Sequence, residues 1–231
     1  LASIAVLPRR LSLDTPGVAA TVPMLRGVWG SALLQRDGAV YETTFAGTGT
    51  RERRVPLYIM RPAAPDRHDW PAVEWIVIGD AIAGDTVLRD AWAMAAAMGL
   101  GPKRVPFAIR ACLPLGPDHR PDQRLSQGWT LDRARWPLPG DPAATPCRIV
   151  FPVPLRILRR GALITDPTLR DVAAAACRRL HAFLPEAQRP ALAALRSPIL
   201  AAAAATPARS WRGRRLDLVR YSGRQKRPVE L

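Results

Sequence analysis

Asp85-Thr-Val-Leu-Arg-Asp-Ala-Trp-Ala-Met-Ala-Ala-Ala-Met-Gly99, then Leu100-Gly-Pro-Lys-Arg-Val-Pro-Phe-Ala-Ile-Arg-Ala-Cys-Leu113, carries the fold. Val87, Leu88, Trp92, Ala95 and Ala96 recur at helical spacing, which predicts a helix over 85–98 with one buried face. Gly99 closes it, since glycine tolerates the left-handed turn that ends many helices. Val105 to Leu113 then reads as a strand. Working back, Ile4 to Leu13 is a strand, Pro16-Gly17 a turn, and 23–34 a helix with Pro23 near its start. Leu25, Val28, Trp29, Ala32 and Leu33 line that helix. Asp37-Gly38 marks a turn before an alternating run, Val40 to Phe45, that reads as a strand. A polar loop, Gly47 to Arg54, leads to strands at Leu57–Met60 and Val73–Ile78. The order is βαββαβ with an extra hairpin, which predicts a ferredoxin-like (RRM-like) sandwich with helices on one face of an antiparallel sheet.

Working forward, residues 114–147 are rich in Pro, Asp, Gly and Arg and read as a connection, with a short hairpin around Trp129. A strand is expected over 148–158, a turn at Gly161, and a helix from Thr168 to Leu184. Leu169, Val172, Ala173, Ala176, Leu180 and Leu184 form its apolar stripe, and Asp166 or Thr168 is the cap. A second helix, 186–205, should break near Pro198, which cannot donate a backbone hydrogen bond. The expected class is α+β with tandem ferredoxin-like units, 1–113 and 148–231, the second incomplete at its C-terminus.

The charge is one-sided. Of 231 residues, 34 are Lys or Arg against 19 Asp or Glu, a net +15. The basic residues run from Arg9 to Arg227, which favours a polyanionic partner and fast electrostatic capture. Eight cations between Arg209 and Arg227 face one acid, Asp217, with Trp211 and Tyr221 among them. Cations neutralise phosphates and aromatics stack bases, so this segment reads as a nucleic-acid-binding strand rather than a solvated tail. Cys112, Cys147 and Cys177 are far apart, with no Cys/His cluster, so neither a zinc site nor a disulfide framework is indicated. A reducing, cytoplasmic setting fits. No apolar run approaches the ~20 residues that span a bilayer, and no signal peptide is visible. The chain starts at Leu1, which leaves an upstream stretch open.

Five stretches in order resemble the CRISPR-associated endoribonucleases that process repeat RNA, members of the repeat-associated mysterious protein superfamily. Leu25-Arg-Gly-Val-Trp-Gly-Ser-Ala-Leu33 resembles the family's LRGxxGxxL helix. Pro56-Leu-Tyr-Ile-Met-Arg-Pro62 resembles its Pro-Tyr-x-x-x-x-Pro strand, and Gly99-Leu-Gly-Pro-Lys-Arg-Val-Pro-Phe107 its GLGxxRxxF element. Ile149-Val-Phe-Pro-Val-Pro-Leu-Arg-Ile157 resembles F-x-T-P-L-R, with Val153 where the threonine is usual. Arg220-Tyr-Ser-Gly-Arg-Gln-Lys226 resembles R-Y-S-x-R-Q. The family continues from there into a glycine-rich segment and a last strand, whereas this sequence stops at Leu231. The resemblance implies binding of a CRISPR repeat stem-loop or crRNA, and partners within an effector complex. It also implies metal-independent, cofactor-free cleavage by the 2′-hydroxyl.

That reaction needs a base at the 2′-oxygen, an acid at the leaving oxygen and cations around the phosphorane. Histidine suits the proton transfers. No compact acidic cluster suggests a two-metal alternative. The catalytic candidates are His119 and His68, both in polar loops, with Arg26 and Arg36 on the first helix and Tyr41 just beyond. Each histidine reads first as a surface residue and only second as a catalytic group, and a surface place is the default for His181. Arg26 reads either as an RNA contact or as the partner of an acid. Lys103 and Arg104 follow Gly99-Leu-Gly101, whose backbone permits close approach to a phosphate, although basic residues also suit a helix C-terminus. GLG lacks the dinucleotide and P-loop spacings. Arg53, Arg54, Arg159 and Arg160 suit an RNA groove or a solvated loop. Trp211, Arg212, Arg214, Arg215, Arg220, Tyr221, Arg224, Lys226 and Arg227 make up the basic tail. Trp29, Trp75 and Trp92 fall on core periods. Two further readings are a non-catalytic RNA-binding subunit of an effector complex, and a basic protein binding ribosomal RNA or DNA.

Overall fold

The computed structural model describes residues 3–46, 55–65, 68–131, 149–151, 157–159, 162–206, 212, 219–222 and 227–230. The protein is α+β and divides into two compact units, Leu1–Arg148 with Arg178–Ala193, and Ile149–Cys177 with Ala194–Leu231. The first unit holds strands β1 (Ile4–Asp14), β2 (Tyr58–Ala63), β3 (Ala72–Ile78), β4 (Ala108–Pro114) and β5 (Trp129–Leu131). Its helices are α1 (Val22–Arg36), the short α2 (Gly38–Tyr41) and α3 (Asp85–Met98). The antiparallel sheet runs β2-β3-β1-β4, and β5 also pairs with β1. One helix follows β1 and another follows β3: the first crossover steps over the place that β3 fills next, and the second steps over β1, already in place.

Strand alternation sorts the two faces. Leu7, Leu11, Leu13, Val73, Trp75 and Val77 meet Leu25, Trp29, Ala32 and Leu33 of α1 and Leu88, Ala91, Trp92 and Ala95 of α3. The indole of Trp29 has Phe45, Tyr58, Trp75 and Trp92 at ring-centroid distances of 5.1, 5.1, 5.4 and 5.5 Å. Its Nε1 donates to the Leu88 carbonyl at 3.1 Å, so the helices are joined by a hydrogen bond as well as by packing. Arg9, on β1, is 5% exposed and forms a two-pronged ion pair with Asp85 in the first turn of α3. A charge so buried is tolerated because it is paired.

Pro8 is tolerated in a central strand for a local reason. Its carbonyl accepts from Leu115 at 2.9 Å, on the side where β1 passes from pairing with β5 (Ile4–Val6) to pairing with β4 (from Arg9). The acceptor that its absent N–H would have served, the Leu115 carbonyl, takes a hydrogen bond from Trp129 Nε1 at 3.0 Å instead.

Helix starts and stops follow from particular side chains. Thr21 caps α1 by accepting from the Met24 amide at 3.4 Å. Asp37 ends α1 through its own amide and starts α2 by accepting from Ala39 and Val40 at 2.9 and 3.0 Å. Asp37-Gly38 is therefore a helix junction, and Val40 to Phe45 is helical, continuing as a wide turn over Glu42–Ala46, where a strand is expected from alternation. Tyr41 and Phe45 stack at 4.8 Å, the i, i+4 geometry of a helix, and Phe45 fits over Gly30, where a Cβ would lie 2.8 Å from its ring.

The segment after β4 also departs from expectation. Gly116, His119 and Leu115 are held by backbone bonds, and β5 adds to the sheet, so the first unit runs past residue 113. The helix expected over 168–184 is α4 (Leu169–Phe183), capped by reciprocal bonds between Thr168 and Asp171. α5 (Arg189–Ala205) runs through Pro198 without a break. Proline removes one amide donor, but its φ is helical and the flanking alanines are strong helix formers. The described strands of the second unit are β6 (Leu158–Arg159) paired with β7 (Ala162–Leu163), and β8 (Val219–Ser222) paired with β9 (Arg227–Glu230). The basic tail thus contains a hairpin.

Gly99 has φ +76°, and a Cβ there would lie 2.7 Å from the Val105 carbonyl carbon and closer still to Arg104. Gly99→Ala is expected to cost on the order of 2–3 kcal/mol. The melting temperature should fall by about 5–10 °C, measured by calorimetry, with Gly27→Ala, where a Cβ meets open space, as the near-neutral comparison.

Candidate nucleic-acid interface

Arg26 and Arg179 come together beside Tyr58. Arg26 projects from the exposed side of α1 because Leu25 and Trp29 take the buried side. Its guanidinium sits 5.8 Å from the centroid of the Tyr58 ring, within cation–π range. Arg179, on the last turns of α4, lies over Phe183 at 5.4 Å and reaches the Tyr58 carbonyl at 3.5 Å. Among the described residues neither arginine has a carboxylate within ion-pair distance. Arg179 is held below the ordinary guanidinium value, first by burial and then by the charge of Arg26. Two cations that disfavour one another are a place where an anion is stabilised.

Tyr58 is 4% exposed, and burial pushes its hydroxyl up to about 12 against the pull of Arg26. The hydroxyl has no hydrogen-bond partner of good geometry among the described residues, so Arg26 acts on it as a nearby charge. Its place in the site is to carry the arginine on its ring.

A second basic element lies at the glycine turn. Leu100 and Val105 exchange backbone bonds of 2.8 and 3.0 Å, and Gly101 and Arg104 both adopt left-handed φ, +72° and +49°. Lys103 and Arg104 are exposed at the tip. A cavity of about 250 Å³ separates Gly101 and Arg104 from Gly27 and Ser31 of α1. The LRG and GLG elements therefore face one another, each leaving room for a close backbone approach.

The other candidates lie elsewhere. Arg36 is ion-paired with Asp90 of α3 at 3.2 Å. Tyr41 stacks on Phe45. His119, at φ +61°, lies against Arg61 and Glu74 on the sheet face away from α1 and α3. Arg61 reaches its Nδ1 at 3.0 Å, the contact a neutral imidazole accepts, and donates through Nε to Glu74 at 2.6 Å. His68 lies on that same face beside Trp70, ring centroids 5.0 Å apart, and His181 is an exposed residue of α4. The five catalytic candidates are divided between the two faces of the sheet, and Arg26 meets none of the histidines.

Arg53, Arg54, Arg160, Trp211, Arg214, Arg215, Arg224 and Lys226 lie outside the described residues. Arg212 is exposed, and the backbones of Arg159, Arg220, Tyr221 and Arg227 belong to the two hairpins. Sequence reasoning missed Tyr58 and Arg179 as a site. Tyr58 falls within the Pro-Tyr strand motif, but Arg179 carries no signal beyond its place off the apolar stripe of α4. No group of three or more metal-ligating side chains occurs among the described residues, and none of their helices is long and apolar enough to cross a membrane. No family model, curated protein or solved structure matches this chain.

The raised hydroxyl of Tyr58 has a pH signature. A phenol ordinarily titrates near 10, so the folded chain keeps this proton longer than the unfolded chain. The stability this contributes is complete below about pH 10 and is lost as pH rises towards 12. Phenolate absorbance of the wild type minus that of Tyr58→Phe should stay flat through pH 10 and rise only near 12. A difference midpoint near 10 would contradict the burial. Removing the unpartnered hydroxyl should also leave the Tyr58→Phe protein as stable as the wild type, or about 1 kcal/mol more so, in urea unfolding at neutral pH.

Proposed function

We propose that this chain binds CRISPR repeat RNA and processes the precursor by metal-independent attack of the 2′-hydroxyl, using tandem ferredoxin-like units of the superfamily it resembles. The observation that carries the proposal is the Arg26–Arg179 pair, Arg26 over the ring of Tyr58 and Arg179 at its carbonyl, with no carboxylate partner among the described residues. Arg26 belongs to the LRG motif and Tyr58 to the Pro-Tyr motif, so two of the five resembling stretches meet at one anion-favouring spot. The strand order of the first unit is that of a ferredoxin-like sandwich and supports the same reading. The GLG turn adds Lys103 and Arg104 for further phosphates. A stem-loop would be held by phosphate contacts and shape, with little readout of its paired bases.

Cleavage divides into roles. The paired guanidiniums would stabilise the crowded phosphorane, the interaction that strengthens as charge develops. The proton transfers fall to His119 or His68 only if RNA reaches round the sheet. One observation favours a second reading, a non-catalytic RNA-binding subunit of an effector complex kept in the cytoplasm: Arg26 meets no imidazole, and Arg36 is occupied by Asp90.

Both readings meet the same assay, in EDTA, with end-labelled repeat RNA and a copy carrying a 2′-deoxy at the cut. A single cut abolished by the deoxy substitution supports the nuclease; tight, salt-sensitive binding without a cut supports the scaffold. The Arg26→Gln/Arg179→Gln protein should bind more weakly, its salt slope reduced by about two, because each phosphate contact contributes roughly one unit. Arg36→Gln should match the wild type in the same titration. A double variant with the wild-type slope would remove the arginine pair from the interface.

A further inference from the structure

The face of the sheet opposite α1 and α3 is divided in two. At one end Ile4, Val6, Ile76 and Ile78 are covered by Phe183, Leu184 and Leu192. The other end, towards β4, is left as a cavity of about 520 Å³ lined by Arg10, Ser12, His68, Trp70, Arg110 and Leu113 with a few smaller apolar groups. Its size is that of a small-molecule site. Among the described residues its charge is one-sided, since two arginines line it and no carboxylate does.

Two features give the cavity the form of a nucleotide site. The Arg110 guanidinium lies 5.5 Å from the centroid of the Trp70 ring, in a stack that is steadied by Asp14, which accepts from Arg110 Nε at 3.2 Å. The Arg110 side chain is 48% exposed, so its plane extends the Trp70 surface outward. Arginine planes and aromatic rings are the platforms on which unpaired bases stack. The second feature is Arg10. Its Nη2 is tied to the carbonyls of Ala64 and Pro65, the latter at 3.0 Å, which fixes the guanidinium in the cavity wall. A fixed guanidinium beside a stacking platform is matched by a phosphate carried one sugar away from a base.

We propose that this cavity holds one nucleotide of single-stranded RNA, its base on the Arg110–Trp70 stack and its phosphate at Arg10. The inference rests on the RNA-binding reading above and adds to it a separate single-strand subsite. The Arg26–Arg179 pair flanks Tyr58 on β2 and this cavity borders β4, the opposite edges of the sheet, about 14 Å apart at one strand spacing per step. A stem at one edge and its unpaired flank at the other would occupy both.

The test uses the full chain with three probes: the repeat stem-loop trimmed of its flanks, an unstructured uridine dodecamer, and uridine monophosphate. Trp70→Ala should weaken the dodecamer by about tenfold, within the range one stacked base supplies, and Trp70→Phe should restore most of that. Arg110→Gln, an exposed substitution that leaves the core untouched, should weaken it by about as much. Trimmed stem-loop binding should be unchanged in all three variants, and Arg124→Gln, an exposed arginine that does not line the cavity and is paired with Asp122, should bind every probe as the wild type does. If Trp70→Ala and Arg110→Gln hold the dodecamer as the wild type does, the cavity is not a single-strand site, while stem-loop binding still upholds the proposed function. If the stem-loop fails to bind but the dodecamer binds and is lost in the variants, the cavity stands and the repeat-RNA reading falls. Binding of the monophosphate alone would overturn the single-strand assignment.

Discussion

Trp29 is the side chain on which the first unit depends. It touches both other core tryptophans, Tyr58 and Phe45, and bonds to the backbone of α3, so α1, α3, β2, β3 and the wide turn over Glu42–Ala46 all meet at one indole. Burying an aromatic of this size removes a large apolar area from water and adds edge and stacking contacts between rings. Trp75 and Trp92 lie in the same cluster with their Nε1 donors unpartnered among the described residues, a cost on the order of 1–3 kcal/mol each. Packing around Trp29 must outweigh that cost. Its position also sets the interface: with Trp29 inward, Arg26 emerges outward over Tyr58, and the same ring that contacts the core below carries the cation above.

How much of this was legible in the sequence depended on the range of the interaction. The helix at 85–98 and its glycine stop were readable because the stripe and the cap are local, and the structure has them at Asp85–Met98 and Gly99. The run from Val40 to Phe45 was not. Its alternation fits a strand, but Asp37 caps a helix there and Phe45 needs the space over Gly30, a contact between two elements. Pro198 misled in the other direction, because one missing amide does not end an alanine-rich helix. The catalytic candidates show the limit most clearly. Histidine count identified His119 and His68, but only the alternation of β3 puts Glu74, and hence His119, on the face away from Arg26. The meeting of Tyr58 with Arg179, 121 positions later, leaves no periodic trace.

The electrostatics are organised by pairing rather than by amount. Arg9, Arg36, Arg61, Arg89, Arg110 and Arg124 each have a carboxylate, so much of the positive charge is satisfied within the fold. Those pairs already cancel within the net charge of +15, so that figure gives the excess over the whole chain and says little of where it lies. What marks the proposed interface is Arg26 and Arg179, left beside one another and beside aromatic rings. Exposed pairs contribute little stability on their own, but they remove decoy sites from the surface.

The central strand has a consequence for synthesis. β1 leaves the ribosome before the strands it pairs with, which begin only at Ala72, Ala108 and Trp129. For most of translation of this unit the nascent chain carries an apolar strand with nothing to pair with, a state exposed to aggregation. Pro8, Arg9 and Arg10 interrupt that strand with a missing donor and two like charges, which is how edge strands are kept from joining one another. In the finished fold Arg9 reaches Asp85 and Pro8 sits at the β4–β5 break, so the residues that keep the early chain apart are absorbed once its partners arrive.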